Sequence, residues 1–297
     1  MERPEWETDG RDWPHRERSR FVTAAGIRWH VQLLGEGRGA DLLLLHGTGA
    51  ASHSMAGLAP LLAERFRVIV PDLPGHGFTD PLPAEQTTLP GMAAAIAELL
   101  AALGAAPVLV AGHSAGAAIL ARMALDGHLA ARLIVALNGA LVPLDGLPGL
   151  IFSPMAKFAA ASEFVPRLFA WHARIDPSMV AHLLRDTGSR LDSRTIEFYA
   201  RLARAPGHVA GALAMMAGWD LDGLARDLPR LATPLLLLVG RNDRTVPPAA
   251  ARRVEALVPT AELLYVPGLG HLAHEEAPET IAAAILERAR ALGIAGA

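Results

Sequence analysis

Apolar residues in this chain come in short unbroken runs, set between longer stretches rich in alanine and leucine. The runs are DLLLLHG (41–47), FRVIVPDLPGHG (66–77), PVLVAGHS (107–114), RLIVALNG (132–139), PLLLLVGRND (234–243) and AELLYVPGLGH (261–271). Strands buried on both faces read as continuous apolar runs, whereas half-buried strands alternate. Two further strands are expected at Phe21–Ala24 and Ile27–Leu34, turning at Gly26. Strands separated by helical stretches predict a sheet with crossover helices. The expectation is an α/β fold built on a mostly parallel eight-stranded sheet with helices on both faces.

Between Asn138 and Pro234 this rhythm breaks. The segment LVPLDGLPGLIFSPMAKFAAASEFVPRLFAW (141–171) is dense in Leu, Phe and Pro, and helical-looking sequence continues to about Asp220. It is too long for one ordinary crossover, so a helical cap insertion is expected over 144–220, above the strand ends. The core then falls into two parts, 21–143 and 221–297, preceded by a polar N-terminal extension at 1–20. That extension carries Trp6, Trp13 and the basic group Arg11, His15, Arg16, Arg18 and Arg20. Two tryptophans are costly to expose, so docking onto the body or onto a partner competes with a solvated tail.

Composition narrows the class. With 297 residues, 52% hydrophobic and 19% charged, the chain suffices for one large α/β domain with an inserted subdomain. A net charge of -3 gives no positive field for nucleic acid. The absence of cysteine excludes disulfides, a thiol nucleophile and thiolate metal sites. The N-terminal stretch is polar, unlike a secretory signal. The most apolar long window, Met92 to Gly112, is interrupted by Glu98, Gly104 and Pro107, which argues against a membrane span and leaves membrane contact at most peripheral. A cytoplasmic location is expected.

The chemistry gathers at strand ends. GHSAG (112–116) fits G-x-S-x-G, with Ser114 between a strand and a helix. Glycines flank such a serine because a sharp strand-to-helix turn presses the backbone against its neighbours. The turn presents the hydroxyl at a helix N-terminus, where free N–H groups favour a developing anion. A plain helix cap would need no such glycines. In LLLLHGTGA (42–50), the loop His46-Gly47-Thr48-Gly49 is placed to supply a backbone N–H to an oxyanion hole, assigned to Thr48, with Ala115 giving the other. Loss of one such donor typically costs roughly 2.7–4 kcal/mol of transition-state stabilisation. Asp243 in LVGRNDRTVP (238–247) and His271 in VPGLGHLAHEE (266–276) each follow a strand, so the order is Ser, Asp, His. The alternatives are a turn at the HG loop, a turn aspartate and a surface histidine. Asn138 holds the other strand end where an acid could stand, and it carries no charge. The predicted catalytic set is Ser114, Asp243 and His271. His46 and His113 are expected to pack beside the site, and His76 to sit in a turn. His274 lies close to His271, but no cluster has metal-ligand spacing. GEGRGA (35–40) lacks the helix and lysine of a phosphate loop. No metal and no cofactor are expected.

On these residues the chain resembles the α/β-hydrolase superfamily over 21–297. A serine nucleophile separates it from the haloalkane dehalogenases and epoxide hydrolases, which use an aspartate there. Met55 stands where a tryptophan often follows the HG loop, which is expected to change one wall of the cleft. A closer resemblance is carried by GRDWPHRERSRFV (10–22), HGTGA (46–50), DLPGHGFT (72–79), GHSAGAAI (112–119), LNGAL (137–141), RLFAW (167–171), GSRLD (188–192) and DRTVPP (243–248). These look like the magnesium chelatase accessory proteins of bacteriochlorophyll biosynthesis, the BchO family. GRDWPHR is the most specific, since a generic hydrolase has no need of it. The resemblance implies a role near magnesium insertion into protoporphyrin IX in a phototrophic bacterium, with magnesium chelatase subunits as partners.

Three functions are then open. One is a serine hydrolase of esterase or acyl-hydrolase type serving tetrapyrrole synthesis, with a hydrophobic small-molecule substrate such as a porphyrin ester. Another is a non-catalytic porphyrin carrier or chaperone on a hydrolase fold, motivated by the tryptophan-bearing tail. The last is a general carboxylesterase unrelated to pigment, because fold does not dictate substrate.

Overall fold

A computed structural model describes residues 1–35, 37, 39–143 and 162–294. Its strands are β1 (Ser19–Ala24), β2 (Ile27–Leu34), β3 (Asp41–Leu45), β4 (Arg67–Pro71), β5 (Leu109–His113), β6 (Leu133–Leu137), β7 (Leu235–Gly240) and β8 (Ala261–Val266). They form one eight-stranded sheet in the order β1-β2-β4-β3-β5-β6-β7-β8. β2 runs antiparallel to β1 and β4, and every other pairing is parallel. The helices among the described residues are α1 (Leu58–Ala63), α2 (Leu89–Ala102), α3 (Ala115–Leu125), α4 (Phe164–Ile175), α5 (Ser178–Asp186), α6 (Ser193–Ala203), α7 (Pro206–Ala217), α8 (Leu221–Asp227), α9 (Pro248–Leu257), α10 (Ala273–Glu276) and α11 (Pro278–Ala291).

The apolar runs of β3 to β7 are buried on both faces as expected, whereas β8, at the sheet edge, alternates between half-buried and exposed positions. Alternate residues of one strand enter different cores, because side chains of a strand point to opposite faces. Leu43 and Leu45 of β3 join Val110, Ile134 and Leu237 in a core completed by α2, α3, α8 and α9. Leu42 and Leu44 join Leu109, Val135 and Leu236 in a second core, closed by α1 and α11. The window from Met92 to Gly112 divides into most of α2 and most of β5. The side-chain oxygen of Thr88 caps α2, accepting from the Gly91 N–H. No described helix is long and apolar enough to cross a membrane.

The first eighteen residues pack onto the body. Trp13 is 2% exposed and sits edge-on to His53, Phe78 and Phe198, with ring centroids 5.1, 5.0 and 5.3 Å away. Its indole N–H donates to Ser52 Oγ at 3.0 Å. Trp6 lies against Phe21, His30 and Phe78, and the Arg16 guanidinium stands 4.2 Å over its ring. Asp12 pairs with Arg201 of α6 at 2.7 Å. Both tryptophans are therefore spent inside the molecule, and of the readings open for this segment the body is the docking surface.

Helices α4–α7 occupy the interval between β6 and β7, and α5, α6 and α7 contribute Leu184, Tyr199, Ala212 and Met216 to a cavity above β5. The part of the expected cap at 144–161 lies outside the described residues.

Candidate active site

Ser114 stands between β5 and α3 with φ 50 and ψ −115, a conformation that costs a residue with a Cβ about 1–3 kcal/mol. Hydrogen bonds on both sides hold it there. Its N–H donates to Leu137 O at 3.0 Å, and its carbonyl accepts from Ala140 N at 3.1 Å. The flanking glycines are required by contact. A Cβ on Gly112 would stand 2.5 Å from the Gly116 carbonyl carbon, and one on Gly116 would stand 2.6 Å from Leu45 O. The elbow is thus a place where α3 lies directly on β5 and β3.

The predicted acid and base meet. His271 Nδ1 donates to Asp243 Oδ2 at 2.8 Å, and both residues are 5% exposed. Asp243 is held from three more directions. Asn138 Nδ2 donates to the same Oδ2 at 2.7 Å, and the Thr245 and Val246 N–H groups donate to Oδ1 at 2.8 and 2.9 Å. Four donors satisfy an ionised carboxylate and aim its remaining interaction at the imidazole. With Nδ1–H committed to Asp243, the other ring nitrogen of His271 is free to take a proton. Ser114 and His271 line one cavity of about 300 Å³, together with Thr48, Ala115, Ala140, Leu184, Tyr199, Met216 and Val246. No hydrogen bond joins the Ser114 hydroxyl to the ring. Such contacts are commonly long without substrate and tighten in the complex.

The two residues predicted to hold an oxyanion also line this cavity. Neither the Thr48 nor the Ala115 N–H has an acceptor among the described residues. The HG loop is shaped by His46, which is fully buried. Its Nδ1–H donates to Gly47 O at 2.8 Å, while Nε2 accepts from Leu73 N at 2.9 Å. Burial holds that ring below its ordinary pKa, hence neutral, as this pattern of one donor and one acceptor needs. His208 of α7 ties the same loop to the cap, with Nε2 on Gly49 O and Nδ1 accepting from Gly77 N, both at 3.1 Å. Met55 is fully buried in the core closed by α1 and α11 and does not line the cavity, so the expected change to the cleft wall is not found.

Three features of the site were not anticipated. Asn138, considered only as a missing acid, is a direct partner of Asp243. It sits in the left-handed region at φ 47, which Asn tolerates better than most residues. Next, the strap Gly188-Ser189-Arg190 stitches the helices after β6 to the loops that carry Asp243 and His271. Arg244 N donates to Thr187 O at 3.0 Å, and Leu272 N donates to Ser189 Oγ at 2.8 Å. Gly188, at φ +90, lies so close that a Cβ would stand 2.0 Å from Asn242 O. Last, Tyr199 of α6 reaches from the cavity wall to Glu275 Oε1 at 2.6 Å, which also accepts from Ser54 Oγ at 2.7 Å. Burial pushes the Glu275 carboxyl up to about 8. Nearby, His113 donates from Nε2 to His271 O at 3.1 Å, its ring 4.6 Å from that of His271. Among the described residues no group of His, Asp and Glu is arranged to hold a metal ion.

Comparison with known proteins agrees with this fold. Residues 42–278 match the family model described as alpha/beta hydrolase fold. The chain is 39% identical over 280 residues to the magnesium-chelatase 30 kDa subunit of Rhodobacter capsulatus, covering 93% of this chain and 96% of that one. It is 32% identical over 219 residues to a pimeloyl-[acyl-carrier protein] methyl ester esterase of Methylococcus capsulatus, covering 71% and 79% of the two chains. Among solved structures, the epoxide hydrolase CorEH superposes with a TM-score of 0.77 at 22% identity, over 92% of this chain and 99% of that one.

Proposed function

Because this chain belongs to the α/β-hydrolase family, we propose that it is a serine hydrolase of the esterase or acyl-hydrolase type. Its relative from Rhodobacter capsulatus bears the name of a magnesium-chelatase subunit, and on that ground its service lies beside magnesium insertion in bacteriochlorophyll synthesis. The observation that carries the hydrolytic reading is that His271, paired with Asp243, lines the same apolar cavity as the strained Ser114.

The chemistry then runs as follows. His271 takes the proton of the Ser114 hydroxyl as its oxygen attacks the carbonyl carbon. Asp243, held by Asn138 and two backbone amides, keeps the ring in the Nδ1–H form and stabilises the imidazolium. The N–H groups of Thr48 and Ala115 receive the oxyanion. The imidazolium returns its proton to the departing alkoxide. Water, giving its proton to His271, then releases the acid and restores the serine. The cavity equals about ten water-sized volumes at roughly 30 Å³ each. It accommodates an ester arm of a tetrapyrrole, and the macrocycle would stay outside.

The test has two parts. The purified chain is expected to be labelled by a fluorophosphonate and to cleave p-nitrophenyl esters, with both lost in Ser114→Ala. In the native host, a deletion strain is complemented with wild type or Ser114→Ala and its tetrapyrroles are profiled by mass spectrometry. Failure of the variant, with one esterified intermediate accumulating, is the expected result. Full rescue by a folded Ser114→Ala chain overturns the hydrolytic reading.

A further inference from the structure

On the far side of the acid-bearing loop lies a second space of about 700 Å³, larger than the catalytic cavity and different in character. Four arginines line it: Arg185 at the end of α5, Arg190 in the strap, and Arg241 and Arg244 on the loop after β7. All four are exposed. None forms an ion pair with a carboxylate among the described residues, and only Arg241 has a ring neighbour, Tyr265, at 5.2 Å. Other arginines do form ion pairs, as in Arg67–Asp41, Arg122–Asp227, Arg201–Asp12 and Arg288–Glu262.

Asp243 itself lines this cleft and Glu276 bonds the strap beside it, but neither carboxylate is available to the arginines. Asp243 gives both oxygens to His271, Asn138 and two amides. Glu276 gives its two oxygens to the Gly270 and Arg190 N–H groups. Asp186, beside Arg185 in sequence, is exposed and pairs with none of the four. Four like charges around one concavity repel one another, in a chain whose net charge is -3. Guanidinium groups present fixed forks of donors that match carboxylate and phosphate oxygens. The wall between the two spaces is thin. Leu184, Thr187 and Thr245 face the catalytic cavity, while Arg185, Gly188 and Arg244 face the cleft.

We propose that this arginine cleft is a binding site for a multiply charged oxyanion, the carboxylates or phosphates of an organic ligand, placed against the loop that carries Asp243. The volume is that of an organic group and not of one inorganic ion. Two sources share this chemistry: acidic substituents of the substrate itself, or a separate anion.

The test is isothermal titration of the full chain with citrate and with inorganic phosphate at matched ionic strength. It compares wild type with Arg185→Ala/Arg244→Ala, two exposed positions whose side chains have no ion-pair partner among the described residues. Citrate is expected to bind wild type and to bind the double variant at least tenfold more weakly, with Arg185→Lys/Arg244→Lys in between. Tighter binding of phosphate than of citrate, with the same arginine dependence, assigns the site to phosphates. Equal binding by wild type and the alanine variant, or binding of neither anion to either, overturns the proposal. The source is read from p-nitrophenyl octanoate and the p-nitrophenyl half-ester of octanedioic acid. A loss of kcat/KM confined to the half-ester in the alanine variant makes the anion part of the substrate, and unchanged kcat/KM makes it a separate ligand. If neither ester is cleaved, the hydrolase reading fails while the titration still decides the anion site.

Discussion

Asp243 accepts four hydrogen bonds, and only the one from His271 was visible as a pairing in the sequence. The Thr245 and Val246 amides come from the turn that follows the aspartate, so they are local. Asn138 comes from 105 residues earlier and meets the carboxylate only because β6 lies beside β7. Removing it strips one donor from the group that orients the base. Asn138→Ala is therefore expected to lower kcat about tenfold, roughly 1.4 kcal/mol in the transition state, with KM little changed. Steady-state kinetics on a p-nitrophenyl ester check this. An equal rise in KM with no change in kcat would place Asn138 in substrate binding instead. Serine, aspartate and histidine were legible because each ends a strand and the order is set by the fold. Asn138 was legible as a strand-end residue, but its role needed the neighbouring strand.

At the level of elements, the N-terminal segment and the strap were the least readable parts. Trp13 looked expensive to expose, and nothing local said where it would go. It is buried between the short helical turn at Ser52–Met55 and α6, pinned by Ser52 and facing Phe198. Residues 10–16 thus brace the Ser52–Met55 turn against α6 instead of offering tryptophans to a partner. This removes the motive for reading the tail as a docking arm of a carrier. Trp13→Ala is expected to lower stability by about 3–5 kcal/mol, the usual result of emptying a large aromatic site. Trp13→Phe keeps most of the packing and should lose about 1 kcal/mol with the Ser52 bond. Urea unfolding at fixed pH measures both, and an unchanged midpoint for Trp13→Ala would mean the segment adds nothing to the fold.

Across the whole molecule, buried histidines dominate the response to acid. His53 and His274 are held down at about 3 and His208 at about 4, in each case chiefly by burial. His46, His76 and His113 are displaced in the same direction. A histidine that is neutral when folded gains a proton on unfolding below its ordinary value near 6.5. Its contribution is therefore present above that value and is lost as pH falls toward the folded one. Glu275 acts oppositely. Raised to about 8, it keeps a proton when folded that the unfolded chain has released, so it weakens the fold as pH rises above its ordinary 4.5. Taking the three histidines with stated values against Glu275, stability should fall by about 3 kcal/mol between pH 7 and pH 5. Urea midpoints across that range test it, and a flat or rising midpoint toward pH 5 would contradict it. Asp72 lies outside this window. Its burial would raise its pKa, but His30 and the Phe78 N–H hold it below the usual carboxylate range.

The sequence by itself determined the eight strands, the parallel character of the sheet, and the strand-end positions of Ser114, Asp243 and His271. It could do so because burial on both faces imposes unbroken apolar runs on the central strands, and a tight strand-to-helix turn imposes glycine at 112 and 116. Those are local demands, and local demands leave local marks. Only the tertiary structure decided that Asn138 meets Asp243, that Tyr199 meets Glu275, that Trp13 packs between the Ser52–Met55 turn and α6, and that Arg185, Arg190, Arg241 and Arg244 face one space. Each of these joins residues far apart in the chain. Their meeting depends on strand order and on where helices α4–α7 settle, and neither leaves a periodic pattern in the sequence.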